Sequence, residues 1–509
     1  MSDGSPRTMS RVRYRFAALE RRGVIAGWRA GQVGAVAVGL VLAVLSVRSR
    51  PSLSGVFVAV VLVGASVVLA FWPIAGRTGE QWLPVVVRWA WAGMTGHRFQ
   101  PAPGPAHGTT VALDRDTGGT VPRTVAVRPP HPPTSVFDGL HLTDGPAVDD
   151  GSGMGVVCDD RAHTVTAVLA LRGHSFALLG PAEQDDRVAA WARVLASLAR
   201  DGSAVHRVQW VETCLPDDGG AVRAHLRDHG VLDDAAPAAR SYRALLDEAS
   251  PVTRRHRVLV AVSVHRGRSA RAVRGAGGGL AGALEVLARE VVAVASTFES
   301  VDVGVDGVLD GPALSGALSE ALRPAPDGVA TTPDTGCGSG GPWPMGTEAG
   351  WDTVRTDGTW HATYWVAEWP RVDVHPDFLG PLLFAPLRRT LSVVMEPVDP
   401  VRAARQVAQA RTAGLADGEL RRRNGFLTSA RHTRERQSVD ERDVELADGH
   451  AQFRYTGYLG VTADSRDELT GACAALEQAA GQARLEVRRL FGQQDGALLC
   501  LLPLGRGLA

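Results

Sequence analysis

Two uninterrupted apolar runs near the N-terminus constrain the possible folds of this chain more than any other feature. They span residues 31–47 and 53–74, and neither contains a charged residue. At about 1.5 Å per helical residue, the second run is long enough to cross a hydrocarbon core of about 30 Å. The preceding Trp28 and a snorkelling Arg29 can extend the first run to a full span. The sequence therefore predicts a transmembrane two-helix hairpin over residues 31–74; the alternative is a hairpin buried in a soluble core.

The distribution of arginine predicts how this hairpin is oriented, because positive charge favours the cytosolic side of a bacterial membrane. The basic N-terminal segment, residues 1–30, carries seven arginines against two acidic residues, and Arg77, Arg88 and Arg98 follow the hairpin. The turn at 48–52 carries two arginines, which weakens the contrast without reversing it. We therefore predict a protein of the bacterial inner membrane, in contact with its lipids and with both termini cytosolic. A cleaved signal peptide is not expected, because a second spanning run follows at once.

A tryptophan-rich segment follows the hairpin. Residues 78–98 are predicted to form an amphipathic helix at the membrane interface, where indole rings suit the headgroup region. The alternative is an ordinary helix packed on the soluble domain. Five residues are the predicted membrane-interface anchors: Trp28, Trp72, Trp82, Trp89 and Trp91.

Composition excludes several classes of enzyme. The chain contains no lysine, so all 54 residues counted as Lys or Arg are arginines, and the formal net charge is zero. A P-loop needs an ammonium group near the β- and γ-phosphates, and a Schiff-base enzyme needs an amine. The five cysteines are widely spaced without a C-x-x-C, which argues against a disulfide framework or a zinc site. We expect no cofactor and no metal.

Beyond residue 98 the pattern predicts two globular regions separated by segments of low complexity. Residues 99–133, rich in Pro, Gly, His and Thr, are predicted to be a linker, and residues 324–344 a low-complexity loop. The strongest helical signal is an apolar stripe through Leu287, Val291 and Val294. Strands are predicted at 164–171, 205–211, 257–265, 301–308, 359–369, 389–395, 453–461 and near 497–502.

Because strands and helices alternate irregularly, the predicted fold class is α+β with mixed sheets. It consists of the N-terminal transmembrane helical hairpin followed by a mixed α/β cytosolic domain. That domain is predicted to contain two subdomains, residues 134–323 and 345–509, and a long charged helical stretch covers residues 400–445 in the second.

Motifs for catalysis are missing from the sequence, and we predict no catalytic residue and no enzyme. There is no G-x-x-x-x-G-K-[ST], no G-x-S-x-G and no H-E-x-x-H. The glycine-rich segment 274–279 follows a strand and opens a helix, where a phosphate loop would lie, but it lacks the cation and the Ser or Thr of such loops. A flexible entry to the helix is therefore the favoured interpretation.

One cluster of charge stands out. No acidic residue occurs between Ser250 and Leu284, whereas seven arginines surround one predicted strand. Because strand and flanks are contiguous, their guanidinium groups could form one patch for phosphate, anionic lipid or an acidic partner. The alternative is a solvated basic edge. The patch residues are Arg254, Arg255, Arg257, Arg266, Arg268, Arg271 and Arg274.

Five sequence segments resemble segments of a known family. They are YRFAALERRGVIAGWRAGQ before the first apolar run, FWPIAGRTGEQWLPVVVRW after the second, ALRGHSFALLGPAEQDDRVAAWARVLASLARDGSAVHRVQWVE, DGTWHATYWVAEWPRVDV, and LLPLGRGL at residues 501–508. In these the chain resembles an actinobacterial family of two-span membrane proteins linked to type IV secretion and conjugation loci. More distantly, the soluble part is similar to the N-terminal, non-motor domain of VirB/Tra-type conjugation ATPases, which commonly closes with a leucine-proline stretch like Leu501-Leu502-Pro503-Leu504.

The resemblance implies a non-catalytic scaffold subunit of a type IV secretion or conjugation-like apparatus. The sequence stops where the motor of those ATPases would begin, so the implied role is to dock a motor ATPase, other membrane subunits or further copies of the chain. A tethered domain gains effective concentration for such partners. Direct nucleic-acid binding stays open. The alternatives are a membrane subunit of a type VII secretion core, and a membrane-tethered enzyme that processes nucleotides or lipid headgroups.

Overall fold

The two N-terminal helices form the hairpin that the apolar runs predict. The computed structural model describes residues 30–49, 51–74, 77–96, 98–101, 136–149, 152–172, 179–200, 202–217, 220–229, 236–249, 254–301, 303–323, 342–423 and 430–507. Helices α1 (Ala30–Ser49) and α2 (Leu53–Phe71) are each long and apolar enough to cross a membrane. They pack closely at Gly39, where a Cβ would clash with the side chain of Ser66.

Helix α3 (Gly79–Met94) follows the hairpin after a two-stranded ribbon of β1 (Pro73–Ile74) and β2 (Arg77–Thr78). Its first residue contacts α2, since a Cβ on Gly79 would lie 2.8 Å from the Cγ of Leu69. Strand β3 (Phe99–Pro101) comes directly after α3. The first three residues of the predicted linker 99–133 are therefore a strand, and the remainder of that linker lies outside the described residues.

The sheet domain contains one order of elements twice. The first copy consists of β4 (Leu140–Asp149), β5 (Ser152–Asp159), β6 (Thr164–Arg172), α4 (Pro181–Leu198), β7 (Val205–Pro216), α5 (Gly220–His229), α6 (Pro237–Ala249), β8 (Arg254–His265), α7 (Ala270–Gly275), α8 (Gly279–Ser300), β9 (Gly304–Val308) and α9 (Gly311–Leu322).

The second copy has the same order without a counterpart of α7, and its first two strands are shorter. It consists of β10 (Gly346–Ala349), β11 (Val354–Thr356), β12 (Thr359–Glu368), α10 (Gly380–Leu383), β13 (Arg389–Pro397), α11 (Pro400–Arg423), α12 (Ala430–Ala447), β14 (Phe453–Ala463), α13 (Arg466–Gln482), β15 (Glu486–Arg489) and α14 (Gln494–Leu498).

The pairing of the strands shows that the two copies have the same topology. The strand order is β3-β10-β11-β12-β14-β13-β7-β8-β6-β5-β4, with β15 also on β12 and β9 also on β6. Each copy is thus a β-α-β-β-α-β unit whose four main strands lie in the order fourth-first-third-second, the ferredoxin-like arrangement. A pair of helices, α5–α6 or α11–α12, interrupts the same connection in both. The two units meet where β7 pairs with β13.

The fold class is confirmed as α+β, with two apolar helices followed by a sheet domain. All pairings among the described strands are antiparallel, so the expected mixed sheet is not what the chain forms. Strands from both predicted subdomains join in this one sheet. The division at 323 and 345 stays a prediction; within the loop between them, the structure describes only residues 342–344, which are buried.

Helices cover both faces of the sheet. On one face α4 and α8 pack on the first unit and α10 and α13 on the second. As the apolar stripe predicts, Leu287, Val291 and Val294 of α8 are buried there. On the opposite face lie α9, α14 and the C-terminal segment, residues 499–507.

The C-terminal segment crosses the sheet without joining it. Gln209, fully buried on β7, donates through Nε2 to the carbonyl oxygens of Cys500 and Leu502 at 3.0 and 2.9 Å. Its Oε1 accepts from the backbone N–H of Gly505 at 2.7 Å. The strand predicted near residues 497–502 is therefore wrong: the segment begins in α14 and continues as turns, and a side chain supplies the hydrogen bonds that a neighbouring strand would have supplied.

Candidate functional site

The junction between α3 and the sheet domain is built from aromatic side chains that lie far apart in sequence. Trp82 stacks on Trp351, in the β10–β11 connection, with ring centroids 5.9 Å apart. Trp89, seven residues further along α3 and therefore on the same face, meets the same ring edge-on at 4.9 Å. Phe491, after β15, completes the cluster 6.4 Å from Trp351. We call these four residues the aromatic junction.

Polar contacts surround the aromatic junction. The guanidinium of Arg98 lies 3.6 Å from the centroid of Trp89, within the range of a cation–π contact. Arg88 is 3.5 Å from Asp495, and Arg77 donates to Gln493 at 3.2 Å. The Arg88–Asp495 pair and the buried Val85 attach one face of α3 to the sheet domain, and Arg77 attaches the strand β2 that precedes the helix.

The opposite face of α3 is apolar and exposed. Leu83, Val87 and Trp91 expose 57%, 57% and 61% of their surface, and Met94 exposes 80%. They follow one another at intervals of four, four and three residues, so they form one helical stripe. In water such a stripe would be unfavourable. Helices α1 and α2 also expose large apolar side chains, among them Phe57, which is 70% exposed.

The predicted membrane-interface tryptophans thus separate into two groups. Trp72 and Trp91 are exposed, whereas Trp82 and Trp89 face the sheet domain. Trp28 lies outside the described residues. One face of α3 packs on the sheet domain, as the alternative reading expects, whereas the position of this helix at the membrane interface stays a prediction. The sequence missed Trp351 and Phe491, since nothing in their local pattern relates them to a helix more than 250 residues earlier.

The seven arginines of the predicted patch do not lie together. Strand β8 separates Arg254, Arg255 and Arg257 from the other four, and its twelve residues span about 36 Å. Arg255 and Arg257 both form ion pairs with Glu320 of α9. At this end of β8, one carboxylate from a distant segment therefore neutralises part of the charge that the local sequence leaves unbalanced.

At the other end of β8, three arginines surround one carboxylate. Glu396 of β13 is 2.8 Å from Arg268 and 3.3 Å from Arg207, and Arg454 approaches it at 4.0 Å. Burial, and then the neighbouring charge of Arg207, lower the pKa of His206 to about 4, so this imidazole is neutral at pH 7. Three guanidinium groups therefore lie around the single carboxylate of Glu396.

Further arginines extend this surface. Arg266 pairs with Asp160 at 3.2 Å. Arg271 and Arg274 are exposed on successive turns of α7, and neither has an ion-pair partner among the residues that the structure describes. We call the following six residues the basic end of the sheet: Arg207, Arg266, Arg268, Arg271, Arg274 and Arg454.

The glycine-rich segment after α7 is a helix cap. Gly277 and Gly278 have φ values of +99° and +76°, which favour glycine. The N–H of Gly278 donates to the carbonyl of Val273 at 2.8 Å and that of Gly277 to Arg274 at 3.3 Å, the pattern of a Schellman motif. These amides are already used, so the segment does not offer them to a phosphate.

A buried ionic cluster has the outline of a Cys-His-Glu triad. His256 Nδ1 is 2.7 Å from Glu212 Oε1, and its Nε2 is 3.9 Å from Cys214 Sγ. However, Cys214 is only 1% exposed, and burial raises the pKa of its thiol. Glu212 is also held by the fully buried Arg389, with Oε1 and Nη2 3.2 Å apart. An inaccessible, protonated thiol is a poor nucleophile, so this cluster is structural.

No other arrangement in the described residues suggests cofactor or metal binding. Among those residues, no group of three His, Cys, Asp or Glu side chains could hold a metal ion. The aromatic junction and the basic end are therefore the candidate functional features among the described residues.

Residues 252–366 match the family model of the putative type VII ESX secretion system translocon component EccE. The match covers under a quarter of the chain, from β8 to β12, and so includes the connection between the two repeated units. No curated protein matches the chain. The comparison favours the type VII alternative, and gives no support to the predicted resemblance to type IV secretion proteins or to the N-terminal domain of conjugation ATPases.

Proposed function

We propose that this protein is a membrane subunit of a type VII secretion translocon. The observation that carries the proposal is the EccE match over residues 252–366, in a chain that also has two helices long and apolar enough to span a membrane. In this proposal α1 and α2 lie in the cytoplasmic membrane and the sheet domain, with both termini, lies in the cytosol. Its partners are other membrane subunits of the translocon, including further copies of the chain and a motor ATPase.

The aromatic junction supports a positioning role for α3. Its exposed stripe, which includes Leu83, Val87 and Trp91, would lie in the headgroup region, while Trp82 and Trp89 hold the sheet domain. A helix fixed on both faces would give the domain a defined orientation to the bilayer, and a tethered domain gains effective concentration for its neighbours.

We further propose that the protein has no catalytic activity of its own. The absence of lysine excludes a P-loop and a Schiff base, and in the triad-like cluster of Cys214, His256 and Glu212 the thiol is buried and protonated. Purified full-length protein in detergent should therefore hydrolyse no ATP. Turnover abolished by a single substitution would instead favour the enzyme alternative.

Affinity purification from native membranes tests the main proposal. A tagged copy, solubilised in mild detergent, should retain the translocon subunits encoded beside it, and deletion of its gene should stop export of the substrates of that system. Recovery of conjugation proteins instead, or undiminished export, would refute it.

Labelling of single introduced cysteines tests the orientation. In intact cells, a membrane-impermeant maleimide should label Ser49→Cys, at the end of α1 that leads into the turn to α2, and should label Met345→Cys only after lysis. Met345 is a suitable position because its side chain is 71% exposed on the sheet domain. The unsubstituted protein is the control for its own cysteines. The reverse pattern would place the domain outside the cell.

A further inference from the structure

The helix pair α11–α12 is longer than its counterpart in the first unit. Helix α11 has 24 residues and α12 has 18, whereas α5 and α6 have 10 and 13. At about 1.5 Å per residue, α11 is about 36 Å long. Among its described side chains, only Ala403 and Val407 are buried, and both lie in its first eight residues. We call the remainder of the pair, residues 408–423 and 430–447, the arm.

The arm buries little apolar surface of its own. Its two helices are joined by Arg411 of α11, which lies 3.0 Å from Asp443 and 3.5 Å from Asp440 of α12. No described side chain of α12 is buried. Leu415 and Val444 expose 58% and 60% of their surface. Because a helix is usually stabilised by packing of an apolar face, a partner on the outer surface of the arm would stabilise it.

One face of α12 is exposed and changes its sign of charge along the helix. By sequence, residues 430–437 contain three arginines and one glutamate, whereas residues 440–447 contain four acidic residues and one arginine. Exposed side chains at intervals of four, three and four residues form the centre of this face. They are Thr433, Gln437, Asp440 and Val444.

A second copy of α12 in the opposite direction is complementary to this face. A two-fold axis at the midpoint of α12 pairs residue 430 of one copy with residue 447 of the other. It also places Arg436 opposite Glu441, and Thr433 opposite Val444. Arg436 and Glu441 are both exposed, and neither has an ion-pair partner among the residues that the structure describes. Each contact occurs twice, because a two-fold interface uses the same surface of both copies.

We propose that α12 pairs antiparallel with α12 of a second copy, through the face that contains Arg436, Glu441 and Val444. A membrane surface or DNA carries one sign of charge, so its attraction to the basic half of α12 would be opposed at the acidic half. A partner with the reverse order of charges meets both halves favourably, and a second α12 has this order by symmetry.

The inference rests on the proposed function, in which further copies of the chain are among the partners. Because both copies are anchored in one membrane, the two-fold axis is then normal to the bilayer and α12 lies parallel to its plane. Anchoring in the same membrane also raises the effective concentration of one arm for the other.

Cross-linking of full-length protein in isolated membranes tests the pairing. Two differently tagged copies are produced together, one with Thr433→Cys and the other with Val444→Cys, and treated with a short bismaleimide. The product should be a covalent dimer that contains both tags. Neither variant should cross-link with itself, because antiparallel pairing separates the two copies of one position by about 16 Å along the helix.

Two controls accompany this experiment. Copies with Val401→Cys and Thr412→Cys have the same spacing at exposed positions of α11, and should give no more product than the unsubstituted protein, which controls for the native cysteines. Equal cross-linking of every combination, or cross-linking of Thr433→Cys with itself, would show random collision or parallel packing and overturn the inference. A product with an unrelated protein in place of the dimer would also overturn it.

Exchange of the two charges identifies the contact. In both tagged copies, Arg436→Glu or Glu441→Arg alone should lower the yield of the dimer about tenfold, because each breaks two ion pairs and creates two repulsions. The combination Arg436→Glu/Glu441→Arg should restore the yield to within about twofold. Arg405→Glu is the matched control, since it makes the same change in net charge at an exposed position of α11 and should leave the yield unchanged.

Failure of the combined variant to recover, or an equal loss in Arg405→Glu, would overturn the inference. Affinity purification separates this failure from failure of the proposed function. If the tagged protein still retains the other translocon subunits while its arms do not cross-link, the proposed function survives without the pairing of α12.

Discussion

Replacing Trp351 by alanine should release α3 from the sheet domain. Its ring has three aromatic neighbours, Trp82, Trp89 and Phe491, at centroid distances of 5.9, 4.9 and 6.4 Å. Each such pair contributes about 0.5–1.5 kcal/mol beyond the area it buries. Trp351 is only partly buried, so we take about 2 kcal/mol, the lower part of the summed range, as the cost of Trp351→Ala.

A loss of about 2 kcal/mol would raise the population of the open junction about 30-fold, because 1.4 kcal/mol corresponds to a factor of ten. Hydrogen exchange of the β15–α14 connection reports this opening, since Gly492 N–H donates to the Trp351 carbonyl at 2.6 Å and a Cβ on Gly492 would lie 2.7 Å from the Trp351 ring. The measurement uses full-length protein in nanodiscs, and the exchange rate of this connection should rise by the same factor.

Trp360→Ala is the matched control. Trp360 lies on β12 in the same unit and contacts Arg355 and Arg466 through its ring, away from α3. It should leave exchange at residues 490–494 within about twofold of wild type. Unchanged exchange in Trp351→Ala, or an equal rise in both variants, would show that the aromatic junction does not hold α3.

Three further predictions concern the sheet domain. Gln209→Leu should lower the free energy of unfolding, measured with urea, by about 1–3 kcal/mol, because the buried N–H of Gly505 loses its acceptor while the carbonyls of Cys500 and Leu502 keep other donors; an unchanged free energy would contradict this. Cys214 should resist iodoacetamide at pH 7.5 in the folded protein and react once urea unfolds it, since burial raises the pKa of its thiol; rapid labelling of the folded protein would contradict it. Burial lowers the pKa of His361 to about 4, so between pH 6.5 and 4 the unfolded chain binds a proton that the folded chain does not. The free energy of unfolding should therefore fall by about 2 kcal/mol from this residue between pH 7 and pH 5, and His361→Gln should remove that part of the slope.

The elements that the sequence predicts correctly are those that need an apolar environment but no particular partner residue. The apolar runs of α1 and α2 need only lipid or each other, and the stripe of α8 through Leu287 and Val291 needs only an apolar surface. The short strands β10 and β11 were missed because they have three or four residues each and are stabilised by pairing, not by their own pattern. The apolar run near Leu501 predicts a strand, because nothing in its local sequence indicates the Gln209 side chain that binds its carbonyls.

The arrangement of charged residues at the candidate site is also only partly predictable from the local sequence. Contiguity in sequence suggested one patch from Arg254 to Arg274, yet an extended strand places its two ends far apart. The carboxylates that divide the patch, on Glu320 and Glu396, come from segments 60 or more residues away. The local sequence around β8 contains the arginines, whereas the acidic residues that pair with them lie on other elements.

The pairing of β7 with β13 also sets a condition on biosynthesis. These strands lie at the centre of the sheet, and β13 is completed about 180 residues after β7. At the usual speed of translation, the nascent chain therefore carries β7 with an open edge for on the order of ten seconds or more. An unpaired strand of this length is a template for aggregation. Any fragment that ends between the two repeated units would keep that edge open permanently, so the first unit needs the second to complete its sheet.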